Sequence, residues 1–85
     1  MKINEIVAAV IESTLTQGGK KYTQKMIADE LNVKPQHISD RLKNENMKVN
    51  TAIEMLDLMG YDLVVKPREA GRETYVVEKG GLRER

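Results

Sequence analysis

The sequence predicts a mainly α-helical domain of four short helices followed by a C-terminal β-hairpin. Up to Gly60, apolar residues recur at helical spacing in four segments, separated by breaks that contain glycine or asparagine. Beyond Gly60, they form two short runs of β-branched and aromatic residues, which is the composition of strands. At 85 residues, the chain has room for one compact domain.

The first two helices are predicted from an apolar stripe and a capping residue. The stripe ends before the glycines at positions 18 and 19 and consists of Ile3, Ile6, Val7, Val10, Ile11 and Leu15. The opposite side of this helix carries the polar residues Asn4, Glu5 and Glu12. Thr23 is a good N-cap for a second helix from Gln24 to Leu31, and Asn32 suits the left-handed residue that ends such a helix.

The fourth helix is predicted from a capping box. Thr51 and Glu54 have the spacing of this motif, which indicates a helix over residues 51–59. Gly60 then stands where a glycine commonly follows a helix. The residues of this helix that we expect to face inward are Ile53, Leu56 and Met59.

The C-terminal hairpin is predicted from residues 61–65 and 74–77, which are joined by a turn containing proline and glycine. We therefore assign residues 1–79 to one domain that includes a hairpin at 61–78, and residues 80–85 to a flexible tail. An isolated two-stranded hairpin is marginal in water, and its open edges invite association. This predicts a homodimer with Val64, Val65, Val76 and Val77 in or near the contact.

The centre of the chain has the pattern of two short helices joined by a tight turn. Ala28 is small enough for a third helix to cross closely, and Val33 can fill the space at the turn. The third helix is expected to begin at Pro35, with Ile38 and Leu42 on its inner side and its N-terminal polar side chains free. Residues 20–48 carry seven basic and four acidic residues, so the positive charge is concentrated where this pattern lies.

This segment resembles the lambda-repressor-like (Cro and XRE type) helix-turn-helix family over residues 3–59, through Thr23-Gln24, Ala28, Leu31, Val33 and Ile38-Ser39. The resemblance implies that Gln24 contacts the DNA backbone. It also implies that bases are read by Pro35, Gln36, His37, Ser39 and Asp40. The sequence departs from the family at three points. Lys34 replaces the usual Ser or Thr before the third helix, Leu42 rather than residue 41 is the second inward residue, and a hairpin replaces the fifth helix.

The chemistry of these side chains fits contact with a DNA groove. Gln36 can donate and accept at an adenine edge, and His37 can donate to a guanine edge or a phosphate. Asp40 either accepts from a cytosine amine or pairs with a basic neighbour such as Lys43. The basic residues that we expect at phosphates are Lys25, Lys34, Arg41 and Lys43. Each of these residues also has the ordinary interpretation of a solvated surface side chain.

Several other functions are not expected from this sequence. Without cysteine, and with one histidine, the chain offers no thiolate metal site, no disulfide and no histidine cluster, so we expect no metal and no cofactor. No candidate catalytic nucleophile has a general base at a recognisable spacing in the sequence. We therefore expect no catalytic residues and no enzyme activity. Nothing resembles a signal peptide or the roughly 20 apolar residues that cross a bilayer, so we expect a soluble cytoplasmic protein that is not bound to a membrane.

The function predicted from the sequence is transcriptional regulation, most simply repression, through sequence-specific binding of double-stranded DNA. One alternative is an antitoxin or adaptor, whose main task is to bind a protein partner such as a toxin and for which DNA binding is secondary. A winged helix, with the hairpin as the wing, is a further alternative. The predicted helix over residues 51–59, between the third helix and the hairpin, argues against it.

Overall fold

The protein is mainly helical, with four helices and a small antiparallel sheet, and the computed structural model describes residues 1–84. In chain order, the elements are α1 (Ile3–Ser13), α2 (Gln24–Leu31), α3 (Pro35–Lys43), α4 (Val49–Leu58), β1 (Leu63–Val65), β2 (Tyr75–Glu78) and β3 (Gly81–Glu84). The prediction of four helices followed by antiparallel strands is confirmed. Within residues 1–84, no helix is long and apolar enough to span a membrane.

Helix α1 is shorter than its apolar stripe suggested. It ends at Ser13, and the extended chain that follows pairs Leu15 with Lys21 before α2 begins. Leu15 therefore lies outside the helix, and its side chain is 58% exposed. The polar side of α1 also differs from expectation, because Asn4 is buried and its side-chain amide donates to the Leu42 carbonyl oxygen at 2.9 Å.

The connection between α2 and α3 has the predicted local chemistry. Thr23 caps α2, since its hydroxyl accepts from the backbone N–H of Met26 at 3.1 Å. Asn32 adopts a left-handed conformation with φ of 56°, and the Val33 N–H bonds back to the Ala28 carbonyl at 2.9 Å. Pro35 is the first residue of α3. Only three residues thus separate the two helices.

Helix α4 begins two residues earlier than predicted, and the expected capping box does not form. Lys48 is the N-cap residue, so Thr51 already lies within the first turn. Glu54 instead forms an ion pair with Lys79, whose Nζ lies 2.5 Å from the Glu54 carboxylate. The helix ends as expected, with Gly60 at φ of 82° shortly after its last residue.

The hydrophobic core is built from the helices and from the connection between α3 and α4. Its buried members are Val7, Ile11, Ile27, Ala28, Ile38, Met47, Ala52, Met55, Leu56 and Met59. Ile53, which was expected among them, is half-buried. In the part of the chain that the structure describes, no strand residue belongs to this cluster. The sheet joins the helices through β2, where Val76 is 3% exposed at the contact with α4.

The predicted hairpin is a three-stranded sheet with the order β1-β2-β3. The third strand, Gly81–Glu84, occupies residues that we expected to form a flexible tail. Gly80 has φ of 92°, so a two-residue turn returns the chain directly alongside β2. Leu82 is the single apolar side chain of β3, and the sequence therefore showed no strand pattern there. Arg85 lies outside the described residues.

The strand register separates the four valines expected at a dimer contact. Val64 and Val76 are directly opposite one another and share one face of the sheet. Val76 is covered by α4 and is therefore not available to a second copy. Val65 and Val77 belong to the other face, because side chains alternate along each strand. The face that carries Val64 and Val76 thus packs toward α4 at Val76, whereas Val65 and Val77 lie on the opposite face of the sheet.

Candidate nucleic-acid interface

Helix α3 presents a polar face to solvent while its apolar side holds it in place. Ile38 is completely buried and Leu42 is half-buried against the core. The residues predicted to read bases lie on the opposite side. Pro35, Gln36, His37 and Asp40 are exposed, and Ser39 is half-buried. The N-terminal half of α3 is therefore open to solvent.

Two of these side chains are already bonded to each other. The Gln36 Nε2 atom donates to Asp40 Oδ1 at 2.9 Å, across one turn of α3. The ion pair between Asp40 and Lys43, one of the two roles considered for Asp40, is not present in the part of the chain that the structure describes. Asp40 accepts from Gln36 instead. The Gln36 amide keeps its carbonyl oxygen and a second N–H for other contacts.

Basic side chains stand at both ends of α3. Lys34 immediately precedes the helix and Lys43 is its last residue, and both are exposed. Arg41 is half-buried, and Lys48 at the start of α4 is exposed. None of these four belongs to an ion pair among the described side chains. Their charges are thus available to an anionic partner.

The start of α2 adds a second group of donors. Gln24 and Lys25 are the first two residues of this helix, and both side chains are exposed. Backbone N–H groups in the first turn of a helix have no intrahelical acceptor. The Thr23 hydroxyl accepts a hydrogen bond from the Met26 N–H. The N–H groups of Gln24 and Lys25 have no such side-chain acceptor within residues 1–84. Such a helix start favours a negatively charged group.

A shallow recess of about 270 Å³ lies where α3 meets α4, and the sequence did not reveal it. Its lining consists of Arg41, Asn44, Met47, Lys48 and Thr51. Sequence reasoning missed Lys48 because the Thr51 and Glu54 spacing placed the start of α4 too late. The recess extends the basic surface beyond the C-terminal end of α3.

Two contacts from the start of α1 hold the C-terminal end of α3. The hydrogen bond from Asn4 to the Leu42 carbonyl is one of them. The other is an ion pair of 2.9 Å between Lys2 and Glu45, whose side chains are both largely exposed. The exposed ion pair contributes little, whereas the partly buried hydrogen bond links α1 directly to the end of α3. Asn4 thus positions α3 against α1, a role that no sequence pattern predicted.

Comparison with known proteins returned no match among family models, curated proteins or solved structures. Among residues 1–84, no group of three or more histidine, aspartate or glutamate side chains is arranged to hold a metal ion.

Proposed function

We propose that the protein is a sequence-specific regulator that binds double-stranded DNA through a helix-turn-helix formed by α2 and α3. The observation that carries this proposal is the exposed polar face of α3, which is anchored underneath by Ile38 and Leu42. The left-handed Asn32 and the packing of Val33 support a lambda-repressor-like arrangement of the two helices.

The dimensions and charges of this surface suit a major groove. A helix such as α3 is about 10–12 Å in diameter with its side chains, and the major groove is about 12 Å wide. With the N-terminal half of α3 at the bases, Gln36 and His37 read base edges. The free basic side chains at the helix ends then face phosphates on either side of the groove.

In this docking, one group of side chains supplies affinity and another supplies sequence preference. Contacts of Lys25, Lys34 and Lys43 with phosphates supply affinity that depends on salt. The uncharged Gln24 adds a phosphate contact that helps to fix the register. Side chains on the outer face of α3 supply the choice of sequence. Binding at a promoter excludes other proteins from it, so repression is the simplest outcome.

The proposal is tested by selecting bound duplexes from random DNA at physiological salt and then measuring binding by fluorescence anisotropy. We expect one enriched motif. Gln36→Ala should relax the preference at one base pair, with a loss of about 1–3 kcal/mol for the selected site, because a bidentate base contact disappears. The dependence of binding on salt should stay unchanged.

The matched control is Gln17→Ala, which alters an exposed glutamine in the connection between α1 and α2. This variant should select and bind the same motif as the parent. If no motif is enriched, or if Gln36→Ala keeps the parent's preference, α3 does not read the groove as proposed.

A further inference from the structure

The connection between α1 and α2 is a short β-hairpin. Leu15 pairs with Lys21 in antiparallel orientation, and the Thr16 N–H donates to the Lys20 carbonyl oxygen at 2.7 Å. The three residues between these last two positions form the turn. We call residues 14–22 the α1–α2 hairpin. Its backbone hydrogen bonds give this connection a defined shape.

The inner side of the α1–α2 hairpin is attached to the end of α4 and to the residues that follow it. Thr14 is 9% exposed, and its hydroxyl donates to the Tyr61 hydroxyl at 3.0 Å. On the other arm, the Tyr22 hydroxyl donates to the Leu58 carbonyl oxygen at 3.3 Å. Both arms are therefore held against the helical domain, and the hairpin keeps one orientation relative to it.

The outer side of the α1–α2 hairpin presents Lys21. Consecutive side chains of an extended strand point to opposite sides, so Lys21 points away from the side on which Tyr22 is held. Lys21 is exposed, and its cross-strand neighbour Leu15 is 58% exposed. By the same alternation, Lys20 belongs to the side of Tyr22. Lys21 is thus the basic side chain that this hairpin directs outward.

The charge on and beside the α1–α2 hairpin has one sign. Residues 13–28 contain three lysines, Lys20, Lys21 and Lys25, and no acidic residue, although the whole chain has a net charge of only +1. None of these lysines belongs to an ion pair within the described part of the chain. A surface with several unpaired charges of one sign attracts a partner of the opposite sign. A polyanion is the partner that this segment fits.

The α1–α2 hairpin leads directly into the start of α2, where we placed a phosphate contact. Lys21 precedes Gln24 by three residues, a span of at most about 10 Å. One strand of DNA carries a phosphate about every 3.4 Å along the helix axis. Lys21 can therefore contact a phosphate within a few nucleotides of the one at Gln24.

We propose that the α1–α2 hairpin is a second contact with the DNA backbone, in which Lys21 binds a phosphate outside the groove contact of α3. This inference rests on the proposed function, because α2 and α3 set the position of the DNA. Lys21 adds affinity that does not depend on base sequence. The attachment of the hairpin to α4 determines where along the backbone this phosphate is bound.

The test compares Lys21→Ala with Lys20→Ala in salt titrations of binding to the selected motif and to an unrelated duplex. Lys21→Ala should weaken binding to both duplexes and reduce the salt slope by about 0.9, the value for one lost phosphate contact. Lys21→Arg should restore the slope, because a guanidinium also binds phosphate. Lys20→Ala is the matched control, since it removes the same charge one residue away, and it should keep the parent's slope.

Backbone amide resonances of the parent provide a second measurement. When the motif duplex is added, the amides of residues 15–21 should shift, and those of the three strands should not. The inference is overturned if Lys21→Ala keeps the parent's slope, if Lys20→Ala lowers the slope equally, or if the hairpin amides do not shift.

These outcomes can be told apart from a failure of the proposed function. If Lys21→Ala behaves like the parent while Gln36→Ala still changes the selected motif, only the hairpin contact is wrong. If the parent enriches no motif but Lys21→Ala lowers its affinity for any duplex, the hairpin contact stands and sequence-specific regulation is contradicted. A parent that binds no duplex at low salt contradicts both.

Discussion

Single residues of α3 combine a fixed geometry with free bonding capacity. The hydrogen bond between Gln36 and Asp40 restricts both side chains before any ligand arrives. Ordering a long polar side chain on binding costs up to about 1.5–2 kcal/mol of conformational entropy, and a side chain that is already held avoids part of this cost. Gln36 is therefore better prepared to read a base than a freely rotating surface glutamine.

Lys43 is the residue at which the electrostatic contribution to the DNA-binding affinity can be measured separately. Lys43→Ala should weaken binding to all DNA sequences alike and reduce the salt slope by about one, because one phosphate contact is lost. The measurement is a salt titration of binding to both the selected motif and an unrelated duplex. Lys66→Ala is the control, as Lys66 is exposed beside the sheet. A slope that is equal in both variants would place Lys43 away from the DNA.

Asn4 is the residue whose loss should be felt most in stability. Asn4→Ala leaves the Leu42 carbonyl without its donor, and we expect the free energy of unfolding to fall by about 1–3 kcal/mol. Asn4→Asp should cost more, since a carboxylate cannot donate to that carbonyl. Urea unfolding measures both variants, with Glu12→Ala on the exposed side of α1 as the control. Parent-like stability of both Asn4 variants would remove Asn4 from its positioning role.

The secondary-structure elements that could be predicted are those whose ends are marked by nearby residues, such as a capping residue or a proline. Elements without such residues at their ends could not be predicted. Thr23, Asn32 and Pro35 define α2 and the start of α3 through bonds and dihedral angles within a few residues of the chain. The exposed face of α3 followed from the same spacing. The start of α4 was misplaced because the spacing of Thr51 and Glu54 resembles a capping box, whereas Lys48 is the N-cap residue and Glu54 pairs with Lys79, which is distant in sequence. Such a tertiary contact leaves no mark in the local pattern.

Strand β3 depends on its turn rather than on its own composition, and this can be measured. Gly80→Ala should lower the free energy of unfolding by about 1–2 kcal/mol, because φ of 92° strains any residue with a Cβ atom. Gly81→Ala is the control. Gly81 has no positive φ and nothing within 4 Å of an added Cβ, so this change should be neutral or slightly stabilising.

Amide exchange in β3 and urea unfolding report the two effects separately. Faster exchange in Gly80→Ala, limited to β2 and β3, would accompany the loss of stability. Equal behaviour of the two alanine variants would show that the turn does not determine the strand.

At the scale of the whole molecule, the proposed DNA surface and the sheet belong to different parts of an elongated body of 41 by 31 by 23 Å. Helix α3 packs on α1 and α2, whereas the sheet packs on α4 through β2. The proposed DNA surface and the sheet consequently share no residue. Substitutions in the sheet can therefore alter stability without changing the side chains proposed to contact DNA.

The narrow attachment of the sheet has a consequence for the spacing of DNA half-sites. Val76 is the one fully buried side chain by which the described sheet meets the helices, and the Lys79–Glu54 ion pair stands beside it. In the homodimer that the sequence predicts, with the strands in or near the contact, each group of helices would then be joined to the sheet by a small and flexible contact. The separation of the two reading helices would adjust to the operator, so that palindromes with different central spacers would be bound with similar strength.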